Sequence, residues 1–153
     1  MQSPLRLMLA YIMIGAPGSG KSTKADQISR IEDSEVVCLD TLREELWGDE
    51  SVQGPWEELR QRFVARVSEI AESGRTIIVD ATHARAKSRK YTLSVLRNNG
   101  YDEIQPVIVH PSLDCCLKRN EARDRQVPED VIRRMWNSID QNFISILSEF
   151  DTP

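Results

Sequence analysis

Gly15-Ala16-Pro17-Gly18-Ser19-Gly20-Lys21-Ser22-Thr23 is the stretch that decides the fold. It matches the pattern G-x-x-x-x-G-K-[ST] at every position, and it follows an apolar, strand-like run (8–15) and precedes a helical pattern. That context is what gives the motif its meaning. The glycines let successive backbone N–H groups turn inward around a polyphosphate, and a helix starting near Gly20 adds the positive end of its dipole. Lys21 reaches the β- and γ-phosphates, and the Ser22 hydroxyl is placed to hold Mg²⁺. The stretch therefore predicts a nucleoside triphosphate site.

Working outward, strand-like runs at 8–15, 35–39, 76–80 and 103–110 are each followed by a helical pattern. Such alternation predicts parallel strands joined by crossover helices. The runs are short and continuously apolar, as in Ile77-Ile78-Val79 and Val107-Ile108-Val109, so both faces of the sheet are expected to be covered. Trp56, Leu59, Phe63, Val67, Ile70 and Ala71 form one apolar stripe of a core-facing helix. Val131, Met135, Trp136, Ile139, Phe143, Ile146, Leu147 and Phe150 predict a single last helix opening at Pro128. Asn98-Asn99-Gly100 ends the helix before the fourth strand, and 48–55 reads as an open loop.

The 153 residues are the length of one domain, expected to run over 1–153 with nothing fused to it. Hydrophobic residues make up 40% and charged ones 29%, which excludes a disordered or collagen-like chain. A formal net charge of -4 argues against gripping nucleic acid over the whole surface. Cys38, Cys115 and Cys116 are odd in number, with two adjacent, so a reducing, cytoplasmic setting is expected. The apolar run 7–14, preceded by Arg6, is too short to span a bilayer, for which roughly 18 residues are needed, so no membrane role is expected.

Neither the guanine-reading Asn-Lys-x-Asp nor the switch Asp-x-x-Gly of GTPases occurs here. The strand ending in Asp80 is followed by Ala81 rather than by a water-activating Glu, which counts against a hydrolytic motor. Transfer of a phosphoryl group to a hydroxyl remains. That chemistry needs a base, a metal and positive charge on the transferring group. Sites in open α/β sheets lie at the carboxyl ends of the strands. Asp40 sits there as either a general base or a simple helix cap. Arg43, three residues on, is placed to hold an anionic part of the acceptor. Asp80 closes the third strand in the same crevice, with Thr82 behind it, and acts either through metal or by holding an arginine. His83 and His110 read as surface residues. Lys118, Arg119, Arg123 and Arg125 form a candidate lid, with Arg119 and Arg123 expected on one helix face, or else a solvated face. A second run, Arg85, Lys87, Arg89, Lys90 and Arg97, holds no acid and either contacts acceptor phosphates or is solvated.

Together these pieces resemble the kinase domain of bacteriophage-type 5′-hydroxyl polynucleotide kinases, within the small P-loop kinases. The likeness extends from Ile12 to about Ile139. It rests on Gly15–Thr23, on Asp40-x-x-Arg43, on Val79-Asp80-Ala81-Thr82, and on Leu117-Lys118-Arg119-Asn120 continuing to Val127-Pro128 and Met135. The resemblance implies an adenylate-kinase-like P-loop fold, three layers α/β/α with a parallel sheet and a helical arginine lid. It implies ATP and Mg²⁺ as cofactors and a nucleic acid 5′ end as the partner substrate. Lys21, Asp40 and Arg123 would be catalytic, with Asp40 the base. Arg119 and Val127 would flank the adenine, Arg123 would clamp the donor phosphates, and Arg43, Asp80 and Thr82 would face the acceptor.

The chain departs from that family in places. The segment between Arg123 and Val127 is short, and residues 32–58 carry ten acids against the single base Arg43. An acidic mouth would repel a polymer, which keeps open a small hydroxyl compound as acceptor. A nucleotide-binding module without transfer is a third reading, which an intact Asp40 and Arg123 oppose. Residues 1–80 hold 9 basic and 14 acidic residues and 81–153 hold 11 and 10, so the acidity is concentrated in the first half.

Overall fold

Four parallel strands carry the structure: β1 (Leu9–Ile14), β2 (Ser34–Cys38), β3 (Thr76–Asp80) and β4 (Glu103–Ile108), in the order β2-β3-β1-β4. The computed structural model describes residues 7–50 and 52–151; Arg6, and Ser51 of the expected loop, lie outside them. Alternation along each strand sorts side chains to the two faces. Ala10, Ile12, Ile14, Val37, Ile77 and Val79 enter one core, and Met13, Ile78, Tyr11 and Val36 enter the other. The central strands β1 and β3 are buried on both sides, which explains their unbroken apolar runs.

The helices are α1 (Lys21–Ile31), α2 (Leu39–Trp47), α3 (Trp56–Glu72), α4 (Ala86–Asn98), α5 (Leu113–Glu121), α6 (Glu129–Gln141) and α7 (Phe143–Ser148). The larger core joins Leu42 of α2, Leu59, Phe63 and Val67 of α3, Leu93 and Leu96 of α4, Ile139 of α6 and Ile146 of α7. Ala25 and Ile28 of α1 pack on the opposite face. The expected three-layer α/β/α architecture is what forms. Each fully buried Ile or Leu contributes roughly 1.5–3 kcal/mol of apolar transfer.

Three expectations need correction. The last helix is broken at Asn142, whose φ of -114° and ψ of 15° leave the helical region, and whose Nδ2 donates to the Ser138 carbonyl at 2.7 Å. The local side-chain bond competes with helix continuation. Strand β2 ends at Cys38, so Asp40 lies in the first turn of α2 rather than on the strand. Trp56, placed by its spacing in the core stripe, is 54% exposed. The stripe holds from Leu59 onward, where α3 has sheet beneath it.

Candidate active site

The phosphate loop is built from the end of β1. Gly15 N–H donates to the Thr82 carbonyl at 3.0 Å, tying the loop's first residue to the segment that follows β3. Gly18 and Gly20 take φ of +80° and +91°, a region that a side chain resists. A Cβ on Gly18 would also stand 2.5 Å from the Cys116 carbonyl oxygen, because α5 packs directly on the loop. Arg119 on α5 donates from Nη1 to the Ser19 carbonyl at 2.8 Å and braces the loop from the other side. The Ser19 hydroxyl is buried and has no hydrogen-bond partner. An unpaired buried hydroxyl costs stability on its own, and a bound phosphate oxygen would satisfy it. Lys21 opens α1, as its spacing predicts.

Asp80 is 3% exposed at the end of β3, and its Oδ2 accepts a hydrogen bond from the Ser22 hydroxyl at 2.8 Å. Its Oδ1 is buried with no partner. One hydroxyl, one free carboxylate oxygen and a phosphate cradle beside them suit Mg²⁺, which keeps several waters and takes few protein ligands. Among the described residues no three His, Cys, Asp or Glu groups are placed to converge on a metal.

His83 is not on the surface. It is 2% exposed and holds φ 47°. Its Nδ1–H donates to the Met13 carbonyl at 2.6 Å, so Nε2 accepts from the Thr92 hydroxyl at 3.0 Å. Burial pushes its pKa down to about 4, helped by the nearby cations Arg89 and Lys21, so the ring is neutral. Arg89, expected to face an acceptor, is instead buried. It donates to the His83 carbonyl at 2.9 Å and pairs with Glu149 at 2.6 Å. His110 is also largely covered, stacked on Trp136 at 4.6 Å between centroids and 3.0 Å from Asp140.

Next to the phosphate loop, a cleft of about 330 Å³ is lined by Ser22 and Asp80 together with Cys38, Thr41, Glu45 and Arg66. Asp40, between Cys38 and Thr41, is exposed and its Oδ1 accepts from Arg43 Nη1 at 2.8 Å. The Asp40 side chain caps nothing: the N-cap residue is Cys38. Arg43 Nε is buried without a partner. Burial and the carboxylates of Asp80 and Asp40 push the Cys38 thiol up, so it is no thiolate.

The lid differs from its expected form. Helix α5 ends at Glu121, so Arg123 and Arg125 stand on the loop after it and not on the helix face of Arg119. Asn120, 6% exposed, clasps that loop shut: its Nδ2 donates to the Val127 carbonyl at 2.8 Å and its Oδ1 accepts from Val127 N–H at 2.9 Å. Arg123 lies 3.8 Å from Glu50, and Arg125 lies 2.5 Å from Asp49. A cavity of about 420 Å³, lined by Leu117, Asn120, Val127 and Pro128, opens beside the clasp.

Residues 11–144 match the model of an AAA domain family. The chain belongs to this family. Its fold is that of a P-loop kinase, and this kinase domain shares it with a chain of the Pnkp1/Rnl/Hen1 RNA repair complex at TM-score 0.81 and 22% identity, covering 92% of this chain and 47% of that one. A second structure of that complex matches at TM-score 0.68 and 26% identity, over 84% and 43%. A gluconokinase from Sinorhizobium meliloti 1021 matches at TM-score 0.56 and 18% identity, over 88% and 76%. Among curated relatives, the L-seryl-tRNA(Sec) kinase of Methanococcus maripaludis is 24% identical over 142 residues, which are 86% of this chain and 52% of the relative. The chain thus spans about half the length of the curated relative and of the repair-complex chains.

Within this kinase domain the structure gathers Gly15–Thr23, Asp80 and Arg119 around one cradle, and sets Asp40 and Arg43 beside the adjoining cleft. Thr82 takes part through its backbone carbonyl. No helix among the described residues is long and apolar enough to cross a membrane. Sequence reasoning missed the Asn120 clasp and the Cys38 and Arg66 walls of the cleft. Asn120 carries a usable signal, since a polar residue one step past Arg119 stands on the side of α5 that Cys116 buries.

Proposed function

We propose that this kinase domain moves the γ-phosphate of ATP to the 5′-hydroxyl of a polynucleotide. The observation that carries the reading is the Asp40–Arg43 pair. Asp40 offers an exposed carboxylate to an attacking hydroxyl at the cleft mouth, while Arg43, one N–H of which goes to Asp40, sets its guanidinium beside it for a neighbouring acceptor phosphate. The likeness at 26% identity to a chain of an RNA repair complex supports the same acceptor class.

In this mechanism the loop's inward N–H groups and Lys21 hold the triphosphate. Ser22 and Asp80 would hold Mg²⁺, which would supply positive charge to the transferring phosphate. Asp40 accepts the 5′-hydroxyl proton, the hydroxyl oxygen bonds to the γ-phosphorus, and the bond from that phosphorus to the bridging oxygen breaks to release ADP. Arg123 would exchange Glu50 for the transferring phosphate. Val127 and Arg119 would flank the adenine, which stacking holds with little regard to base identity.

A second reading, a small hydroxyl compound as acceptor, draws support from the acids on α2, where Glu44 and Glu45 are exposed, and from the gluconokinase likeness in fold. Labelled ATP offered to 5′-hydroxyl oligonucleotides, 3′-nucleotides and a panel of small hydroxyl compounds separates the two. Label on oligonucleotides is expected, and label on the small compounds alone refutes the polynucleotide acceptor. Asp40→Asn should lower turnover about 10²- to 10⁴-fold and leave ATP binding intact.

A further inference from the structure

An aromatic lies where the apolar stripe of α3 gives out. Trp56 is 54% exposed, yet it is not a loose surface residue: its ring meets Tyr91 of α4 edge-on, with centroids 5.5 Å apart. Tyr91 in turn packs on Phe63 at 6.3 Å, so the pair is anchored to the core. Val52, 39% exposed, comes from the same connection between α2 and α3. A face of a fixed indole is thereby held open to solvent.

Charge surrounds it unevenly. From Ala81 to Tyr101 the chain holds five cations and no acid. Arg89 turns inward to Glu149, while Arg85, Lys87 and Lys90 are exposed and enter no ion pair among the described residues. Elsewhere arginines are matched to carboxylates, as Arg62 and Arg66 are to Glu45, Arg75 to Asp33 and Arg133 to Glu129. Lys87 stands one turn before Tyr91 on the same side of α4, so cation and aromatic pair share a surface. Of the two acids that follow Trp56, Glu57 pairs with Arg60 and Glu58 accepts from the Trp47 indole N–H at 3.2 Å. The surface also adjoins the site. Helix α4 starts six residues after Asp80, and the segment leading into Trp56 carries Asp49 and Glu50, the partners of Arg125 and Arg123.

A held aromatic face beside unmatched cations is the chemistry that takes single-stranded nucleic acid, one base on the ring and the flanking phosphates on the lysines. A duplex offers no free base face, and a sugar has no base to stack on the ring. We propose that Trp56, seated on Tyr91, with Lys87 and Lys90, docks the single-stranded body of the acceptor downstream of its 5′ end. This rests on the polynucleotide reading and adds to it that acceptor length, rather than the end alone, sets affinity.

The test uses a 3′-labelled, 5′-hydroxyl (dT)₁₀ for binding, and (dT)₁₀ against thymidine 3′-monophosphate for turnover. Trp56→Ala should raise Kd and KM for the decamer by about 5- to 100-fold, the loss of one stacked base, and leave kcat, ATP binding and the KM for the mononucleotide unchanged. Trp56→Phe should recover most of the loss. Lys87→Glu with Lys90→Glu should weaken decamer binding and lower its salt slope by about 1.4, for two phosphates on a single strand. Decamer binding indifferent to Trp56, equal loss on both acceptors, or a change in oligomeric mass with decamer binding untouched would each overturn the surface. If the protein binds the decamer through Trp56 without phosphorylating it, the acceptor assignment falls and the surface stands. If it phosphorylates the decamer with a KM blind to Trp56, the surface falls and the assignment stands.

Discussion

Acid should release the phosphate loop through His83. The ring is 2% exposed and joins Met13, two residues before Gly15, to Thr92 of α4. The unfolded chain takes up the imidazole proton near pH 6.5, whereas burial holds the folded ring neutral until about pH 4. Between those values the unfolded state binds more protons, so His83's contribution to stability is complete above pH 6.5 and declines as the pH falls toward 4. At 1.36 kcal/mol per pKa unit, the full decline is about 3 kcal/mol, of which about 2 kcal/mol has gone by pH 5. Carboxylates titrate in the same range, so the quantity to measure is a difference. Urea unfolding of wild type and His83→Gln at pH 7, 6 and 5 should show the wild type's advantage shrinking by about 2 kcal/mol across the series. The glutamine keeps a donor and an acceptor but has no proton to gain. An advantage constant with pH, or a His83 ring resonance titrating above pH 6 in the folded protein, would refute a neutral, buried His83.

Other perturbations follow from the same geometry. Gly18→Ala adds a Cβ 2.5 Å from the Cys116 carbonyl at φ +80°, so ATP binding should be lost, whereas Gly74→Ala, at φ +74° with nothing within 4 Å, should cost only the roughly 1–2 kcal/mol of backbone strain; calorimetry on both variants isolates the clash. Asn120→Ala leaves the Val127 N–H and carbonyl without their partners, so a loss of about 1–3 kcal/mol is expected together with weaker ATP binding, read by thermal melts with and without nucleotide. Arg89→Met strands Glu149 and the His83 carbonyl and should destabilise by about 3 kcal/mol in urea unfolding, with Glu149→Gln costing less because an amide oxygen still accepts from Arg89, which keeps its bond to the His83 carbonyl.

What was legible in the sequence was whatever rests on local necessity. The phosphate loop needs left-handed glycines at Gly18 and Gly20 and a Lys at the helix start, so its spelling is rigid. Strands β1 and β3, covered on both faces, have to be continuously apolar. Properties set by what lies opposite were not legible. Trp56 obeys the spacing of α3 but stands beyond the core that buries Leu59. Nothing around His83 in the chain announces that Met13 and Thr92 will close over it. The end of α5 falls at Ala122 with no glycine to mark it, so Arg123 left its helix unannounced. Arg89 is the instructive case, because a signal existed: it falls on the stripe with Thr92, Leu93 and Leu96, all buried. Helical spacing already separated it from Lys87 and Lys90, and reading the five cations as one basic run blurred that.

The same logic changes the weight of the acidic stretch. Ten acids between 32 and 58 suggest a mouth that repels a polymer. In the fold, Asp33 and Glu35 share Arg75, Glu45 faces Arg62 and Arg66, Asp49 and Glu50 hold the lid arginines, and Glu57 holds Arg60. Exposed pairs of this kind add little to stability, roughly 0–1 kcal/mol each. Their effect on the field is larger, since a paired acid presents a dipole where a lone one presents a charge. Lys87 and Lys90 on α4 have no such partners among the described residues. This end of the sheet therefore presents a positive, aromatic flank on α4 and acids on α2 of which Asp40 and Glu45 are paired, a contrast that a count of charges along the chain inverts.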